Sequence, residues 1–211
     1  MKKYDLYLFD FDGTIVNSLK SLEEIFVRAF KAVGIEVKRE DCLLYTRQPL
    51  EVTYKEVHAP WDKAYIFADQ INKLLEDHDI AKMTETFIDV LPVLQEMRGS
   101  GIQFGIVTSN SEEHVKEVLD IVGIPKEWFT IIVGHDQVQE TKPDPKPVLY
   151  TLEKLNWNKP KSSVVYVGDA LNDMLCANAA GIDAILLDRL NEFEPSEQYV
   201  LIKDLMELLK D

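Results

Sequence analysis

Helical and strand patterns alternate along the second half of the chain, and this alternation restricts the fold more than any other feature of the sequence. Apolar spacing predicts helices over 90–98, 112–122, 145–155, 171–180 and 205–209, and strands over 102–108, 129–133, 164–167, 184–187 and 199–202. Asp144 and Pro145 are typical of an N-cap and a first helical residue. Strands that alternate with helices form a parallel sheet with helices on both faces. The sequence therefore predicts the α/β class with a doubly wound parallel sheet.

A second, helical region interrupts this pattern near the start of the chain. A buried-strand pattern covers 4–11, and helices are predicted over 19–33 and 61–76, with a less regular segment at 45–60. We find no clear strand between about 16 and 82. We therefore predict a core domain made of 1–15 and 83–211, with a helical domain, 16–82, inserted into it.

The charge balance bears on the partners of this protein. Among 211 residues, 23 are basic and 37 are acidic, which gives a formal net charge of −14. Broad binding to nucleic acid or to an anionic membrane requires a basic face, so we expect neither partner. Aspartates at positions 5, 10 and 12 break any signal-peptide core, and the two cysteines form no CxxC pair. We expect a cytoplasmic protein with reduced thiols.

Polar clusters follow the predicted strands at four places. They are Asp10-Phe11-Asp12-Gly13-Thr14, Thr108-Ser109-Asn110, Lys142-Pro143 and Gly168-Asp169-Ala170-Leu171-Asn172-Asp173. Parallel sheets bind ligands at the carboxyl ends of their strands, so the four clusters are expected to converge at one edge. This edge is the candidate functional site.

The acidic clusters have two interpretations. Asp10 and Asp12, taken alone, suit a solvated turn, and Asp169 with Asp173 suits the capping of a helix N-terminus. If the strands are parallel, however, the two pairs face each other. Several carboxylates at one place require a hard cation, and ligands that are all oxygen indicate Mg²⁺.

The other two clusters also leave alternatives open. Asn110 with Glu113 resembles a capping box, although hydroxyl and amide donors at a helix N-terminus also suit a phosphate. Lys142 precedes a proline and is therefore expected on a loop, as a solvated charge or as a partner of anionic oxygens.

In order and spacing, the four clusters resemble the motifs of the haloacid dehalogenase superfamily of phosphohydrolases. The residues that carry the resemblance are Asp10-Phe11-Asp12-Gly13-Thr14, Thr108, Lys142 in Thr-Lys-Pro-Asp-Pro, and Gly168-Asp169 with Asp173. The nearest branch is the one that is phosphoglycolate phosphatase-like and β-phosphoglucomutase-like. The resemblance covers essentially the whole chain and implies a Rossmann-like core with an α-helical cap. One departure is Asn17-Ser18, where the family often has Asp-Ser or Asp-Thr.

The resemblance also implies a role for each motif residue. Asp10 is implied as the nucleophile that forms an aspartyl-phosphate, and Asp12 as the general acid and then the general base. Thr108 is implied as a donor to the phosphoryl group, and Lys142 as the residue that holds Asp10 and the phosphate. The implied Mg²⁺ ligands are Asp10, the carbonyl of Asp12, Asp169 and, through water, Asp173. We assign substrate or phosphate binding to Gly13, Thr14, Ser109, Asn110 and Arg47.

The function expected from this resemblance is a Mg²⁺-dependent phosphatase for a small phosphorylated metabolite. Asp12 favours phosphate-ester chemistry, because a haloalkanoate dehalogenase has no leaving alkoxide to protonate and typically lacks an Asp there. One alternative is a β-phosphoglucomutase-like isomerase, which dependence on glucose 1,6-bisphosphate would reveal. A second alternative is a non-catalytic binding or regulatory protein of the same fold. The oligomeric state and the substrate are not predicted.

Overall fold

The protein is described here by a computed structural model that covers residues 1–46 and 50–210. Its contacts divide the chain into two compact units. One unit contains Met1–Asn17 and Thr86–Asp211, and the other contains Ser18–Glu85. The second unit is therefore an insertion within the first.

The regular elements are numbered in chain order. The strands are β1 (Leu6–Phe9), β2 (Val16–Asn17), β3 (Glu85–Thr86), β4 (Gln103–Val107), β5 (Ile132–Val133), β6 (Val164–Gly168), β7 (Asp183–Leu187) and β8 (Val200–Ile202). The α-helices are α1 (Leu19–Ala32), α2 (Cys42–Tyr45), α3 (Leu50–Glu56), α4 (Ala64–Leu75), α5 (His78–Ala81), α6 (Val90–Gly99), α7 (Glu112–Val122), α8 (Lys146–Lys154) and α9 (Leu171–Ala180). Short 3₁₀ helices cover Arg39–Asp41, Trp61–Lys63, Lys126–Trp128, Lys161–Ser163 and Leu205–Leu209.

The larger unit is built on a six-stranded sheet in the order β5-β4-β1-β6-β7-β8. All five neighbouring pairs of strands are parallel. The predicted doubly wound α/β sheet is thus confirmed. Every residue of β1 and β6 is buried, as expected for central strands of a sheet covered on both faces.

The register of the central strands places the ends of three motifs at one level. Phe9, the last residue of β1, is paired with Ile106 in β4 and with Val167 in β6. Asp10 follows Phe9 by one residue. Thr108 follows Ile106 by two residues, and Asp169 follows Val167 by two. The parallel direction therefore brings their side chains to the same edge of the sheet.

The inserted unit, Ser18–Glu85, has its own apolar core. The side chains of α1 repeat at helical spacing, and Phe26 and Phe30 lie buried on its inner face. Phe30 packs against Phe67 of α4 with 4.5 Å between the ring centroids. Such aromatic contacts stabilise a small helical unit that has only a limited apolar core.

Several element boundaries differ from the sequence prediction. The segment 45–60, predicted as irregular, contains α3, in which Thr53 is buried and Tyr54 belongs to the apolar core of the inserted unit. The two-residue strands β2 and β3 form a separate small sheet and are too short to show a periodic pattern. The terminal segment Leu205–Leu209 is a 3₁₀ helix rather than an α-helix.

The start of α8 is shifted by one residue. Pro145 is its N-cap and Lys146 its first residue, whereas we predicted Asp144 and Pro145 for these positions. The carboxylate of Asp144 still serves the helix, because its Oδ1 accepts a hydrogen bond from the backbone N–H of Lys146 at 2.8 Å. Within the described part of the chain, no helix has the length and apolarity that a membrane span requires.

Candidate active site

Lys142 links two of the acidic motifs in the larger unit. Its Nζ donates to Asp10 Oδ1 and to Asp173 Oδ1, both at 2.6 Å. All three side chains are at most about a tenth exposed. Lys142 is thus a buried, paired charge. This position fits its interpretation as a partner of anionic oxygens and not its interpretation as a solvated charge.

Three carboxylates meet beside this lysine. One oxygen from each of Asp10, Asp169 and Asp173 lies within 4.8 Å of the other two. With Lys142 as their ammonium partner, the three ionised groups keep a net negative charge. A hard divalent cation fits this set, because all three donors are oxygens and the surplus charge is negative.

The pKa values reflect the same crowding. Burial, opposed by Lys142, raises the pKa of Asp10 well above its usual value, and Asp173 and Asp169 raise it further. Burial, followed by the charge of Asp173, raises the pKa of Asp169 to about 7. Burial opposes the charge of Lys142, yet Asp10 and Asp173 outweigh it and raise the pKa of its ammonium group. Additional positive charge at this position would therefore stabilise the ionised carboxylates.

The side chain of Asp12 lies outside this carboxylate cluster and has a different partner. Asn110 Nδ2 donates to Asp12 Oδ2 at 2.5 Å. The backbone N–H of Asn110 also donates to Thr108 Oγ1 at 3.2 Å. Asn110 therefore connects the second motif to the first. The capping-box interpretation of Asn110 is wrong, because Ser111 is the N-cap of α7 and its hydroxyl accepts from the His114 N–H.

Asp173 combines both roles that the sequence left open. Its Oδ2 accepts a hydrogen bond from the backbone N–H of Ala170 at 3.1 Å, as a residue in the first turn of a helix does. Its Oδ1 accepts from Lys142. One side chain thus fixes the start of α9 and holds the lysine.

Two glycines allow the motif loops to approach these carboxylates. Gly13 has φ +77°, and a Cβ atom there would lie 2.1 Å from Asp169 Oδ2. A Cβ atom at Gly168 would lie 2.3 Å from Asp173 Oδ2. The backbone conformation and the close contact at Gly13 both require the absence of a side chain.

The remaining candidate residues lie in different environments. Thr14 is fully buried, and its Oγ1 has no hydrogen-bond partner among the described residues, whereas Ser109 is exposed. Arg47 lies outside the described residues, as does its neighbour Gln48. In the inserted unit, Tyr45 and Tyr54 are buried in the apolar core.

Tyr166 is a site residue that the sequence reasoning missed. Its hydroxyl donates to the carbonyl of Val107 at 2.6 Å and accepts from Lys142 Nζ at 3.3 Å. It stands within the otherwise apolar strand β6, where we interpreted it as part of a core strand. A fully buried phenol requires a hydrogen-bond partner, and this requirement was the available signal.

Comparisons with known proteins agree with this geometry. Residues 7–187 match the family described as haloacid dehalogenase-like hydrolase. A pyrophosphatase PpaX from Bacillus velezensis is 30% identical over 85% of this chain and 81% of its own length. A phosphoglycolate phosphatase from Salmonella paratyphi A is 28% identical over 84% of this chain and 78% of its own.

Solved structures share the fold. A haloacid dehalogenase-like family hydrolase from Streptococcus pneumoniae superposes with a TM-score of 0.80 at 18% identity, over 99% of this chain and 98% of that one. CbbY from Rhodobacter sphaeroides, in complex with phosphate, gives a TM-score of 0.75 at 24% identity, over 97% and 96% of the two chains. At this level of identity, the likeness concerns the fold.

The family match covers most of the sequence, and this chain belongs to the haloacid dehalogenase-like hydrolase family.

Proposed function

We propose that this protein is a Mg²⁺-dependent phosphatase that hydrolyses a small phosphorylated compound through an aspartyl-phosphate on Asp10. The observation that carries the proposal is the buried bridge from Lys142 to Asp10 and Asp173, beside the carboxylate of Asp169. A solvated turn or a simple helix cap has no need for a buried lysine between two aspartates. Attack of a carboxylate on phosphorus is helped by such a lysine, because the negative charges of the two groups must be screened.

Asp10 is the proposed nucleophile. Burial and the neighbouring carboxylates raise its pKa, and Lys142 opposes this rise. The lysine therefore favours the ionised, reactive form of Asp10. In the first step, a carboxylate oxygen of Asp10 forms a bond to phosphorus while the bond to the leaving oxygen breaks.

Asp12 is the proposed general acid and base. It gives a proton to the leaving oxygen in the first step. In the second step it takes a proton from the attacking water, whose oxygen forms a bond to phosphorus while the bond from phosphorus to Asp10 breaks and frees the carboxylate. Its hydrogen bond from Asn110 supports this role, because an amide donor orients the carboxyl group without itself titrating. Thr108 accepts its bond from the Asn110 backbone, so its own hydroxyl hydrogen can be directed to a phosphoryl oxygen.

Asp10, Asp169 and Asp173 are the side chains proposed to hold the metal, together with the backbone carbonyl of Asp12. When bound, Mg²⁺ would neutralise phosphoryl charge and orient the group for attack. This chain's own contribution is to keep the oxygen donors close together before substrate arrives. The hydrogen bonds to Asp173 and the close approach at Gly13 support that arrangement.

The helical unit, Ser18–Glu85, is proposed as the cap that selects the substrate. Pyrophosphate and phosphoglycolate are the first substrates to test, since relatives of this chain carry the names pyrophosphatase and phosphoglycolate phosphatase. Both are small and anionic, which suits a site that is proposed to hold a phosphoryl group and a metal.

Hydrolysis of p-nitrophenyl phosphate with Mg²⁺ tests this proposal, followed by a panel with pyrophosphate, phosphoglycolate, nucleoside monophosphates and hexose phosphates. Asp10→Asn should lower kcat by more than ~10³-fold, as loss of a covalent nucleophile does. Asp5→Asn is the matched control, because Asp5 precedes the same strand, is exposed and pairs with Lys159.

Equal activity of wild type and Asp10→Asn would contradict the nucleophile assignment. Absence of hydrolysis for every substrate would contradict the phosphatase proposal. In that case, isomerisation of β-glucose 1-phosphate with glucose 1,6-bisphosphate becomes the next assay.

A further inference from the structure

The ammonium group of Lys142 has three N–H bonds, and the structure provides an acceptor for each of them. Two acceptors are the carboxylate oxygens of Asp10 and Asp173, at 2.6 Å. The third is the hydroxyl oxygen of Tyr166, at 3.3 Å. A phosphoryl oxygen can therefore bind Lys142 directly only if one of these three bonds is given up.

The three bonds differ in strength. The bonds to Asp10 and Asp173 are short and join opposite charges, whereas the bond to Tyr166 is long and its acceptor is neutral. All three bonds share the charged ammonium donor, but only the bonds to the two carboxylates add attraction between opposite charges, and a bond of 3.3 Å is weaker than one of 2.6 Å. The bond to Tyr166 is thus the one that breaks most easily.

The hydroxyl of Tyr166 is held in the acceptor role. Its own hydrogen is directed to the carbonyl oxygen of Val107 at 2.6 Å, so its oxygen can only accept from Lys142. Tyr166 is fully buried, and its ring lies within β6 of the central sheet. When Lys142 turns away, the hydroxyl keeps its bond to Val107, and no buried donor is left without a partner.

We propose that Tyr166 is a positioning residue that occupies the third N–H of Lys142 in the free enzyme and releases it to a phosphoryl oxygen on binding. This inference rests on the proposed function, because it requires an anionic ligand at the site. It adds a specific exchange: one hydrogen bond to a phenol is replaced by one to the phosphoryl group. The exchange weakens binding of phosphate by the strength of the bond that is lost.

The test is the affinity for inorganic phosphate in the presence of Mg²⁺, measured by isothermal titration calorimetry on wild type and Tyr166→Phe. The substitution keeps the ring and removes the hydroxyl, so the acceptor for Lys142 is lost, and the bond to Val107 is lost equally in the free and the bound protein. We expect the Kd for phosphate to fall about threefold to tenfold, the size of one net hydrogen bond. A merely structural role predicts the opposite sign, since loss of packing or order weakens binding.

Tyr7→Phe is the matched control. Tyr7 is a buried tyrosine of the neighbouring strand β1, paired with Val165 and stacked on Phe9. Its substitution should leave the Kd for phosphate unchanged, and circular dichroism should show folded protein for both variants.

The outcomes separate this inference from the proposed function. A Kd that is unchanged or raised in Tyr166→Phe, with a wild type that binds phosphate and hydrolyses p-nitrophenyl phosphate, overturns the exchange alone. A wild type that neither binds phosphate nor hydrolyses the ester overturns both.

Discussion

The side-chain amide of Asn110 donates to the carboxylate of Asp12 at 2.5 Å, across a sequence separation of 98 residues. The bond joins the loop after β4 to the loop after β1, two strands that are neighbours in the sheet. It gives the proposed general acid a fixed orientation.

Asn110→Ala should therefore slow the step in which the leaving oxygen is protonated. A hydrogen bond to a charged group contributes ~1.5–3 kcal/mol, so kcat for an alkyl phosphate should fall on the order of tenfold to a hundredfold. The fall should be smaller for p-nitrophenyl phosphate, whose leaving group needs little protonation. Steady-state rates for the two substrates give this comparison.

Ser111→Ala is the control for Asn110→Ala, because it removes the N-cap of the same helix. It should cost about 1 kcal/mol of stability and leave the comparison of leaving groups unchanged. Equal losses for both substrates in Asn110→Ala would contradict the role of Asn110 in orienting an acid.

Lys142→Met should lower kcat by about 10²- to 10³-fold, the scale of losing one electrostatic contact to reacting groups. Without the ammonium group, burial and the other carboxylates raise the pKa of Asp10 further, so the acid limb of the kcat/KM profile should move to higher pH. Lys146→Met is the control, since Lys146 is exposed and pairs with Glu140. Normal turnover in Lys142→Met would show that the buried bridge is structural.

Gly13→Ala should weaken metal binding more than it weakens the fold. The new Cβ would lie 2.1 Å from Asp169 Oδ2 and would displace that carboxylate, and a residue at φ +77° also has backbone strain of ~1–2 kcal/mol. Gly101→Ala isolates that strain, because Gly101 has φ +71° with nothing within 4 Å of its Cβ position. Mg²⁺ titrations followed by calorimetry should show a lower affinity in Gly13→Ala only.

Mg²⁺ should raise the melting temperature of the protein. At 100 times its Kd, a ligand contributes ~2.7 kcal/mol, which corresponds to about 5–10 °C for a chain of this size. Asp169→Asn should abolish this shift, yet raise the melting temperature in EDTA at pH 8, because it removes charge repulsion among buried carboxylates. A Mg²⁺ shift that survives in Asp169→Asn would exclude Asp169 from the metal site.

Asp188 should contribute to the acid stability of the larger unit. Burial opposes its ionisation, but Lys203 and the backbone N–H groups of Glu192 and Phe193 outweigh burial and hold the pKa of Asp188 below its usual value. A lowered folded-state pKa gives stability that is complete above the unfolded-state pKa of about 4 and is lost as the pH falls through the folded-state value.

Asp188→Asn should thus lower the free energy of unfolding at pH 7 by about 2 kcal/mol and flatten its decrease below pH 4. Urea unfolding at several pH values measures both effects. Asp120→Asn, in α7 of the same unit, is the control, because Asp120 is exposed and its ion pair with Lys126 contributes less than about 1 kcal/mol. This assignment would be contradicted if the free energy of unfolding decreased below pH 4 as steeply in Asp188→Asn as in wild type.

The periodic features of the sequence predicted the fold well. Long elements such as α1, α7 and the buried strand β6 follow from apolar spacing. The parallel direction of the strands follows from the alternation of strands and helices. Features that depend on packing were missed. Helix α3 exists because Tyr54 is buried by distant residues, and no local pattern predicts that burial.

The sequence by itself determined which chemical groups stand after which strands: Asp10 after β1, Thr108 after β4 and Asp169 after β6. Only the tertiary structure decided their partners. The sequence allows Lys142 to be a surface charge, whereas the structure places it between Asp10 and Asp173. The sequence likewise allows Tyr166 to be an ordinary core residue, whereas the structure shows its hydroxyl hydrogen-bonded to Lys142. The physical reason is that spacing fixes what is local along the chain, whereas a hydrogen bond between residues far apart in sequence depends on the register of packed strands.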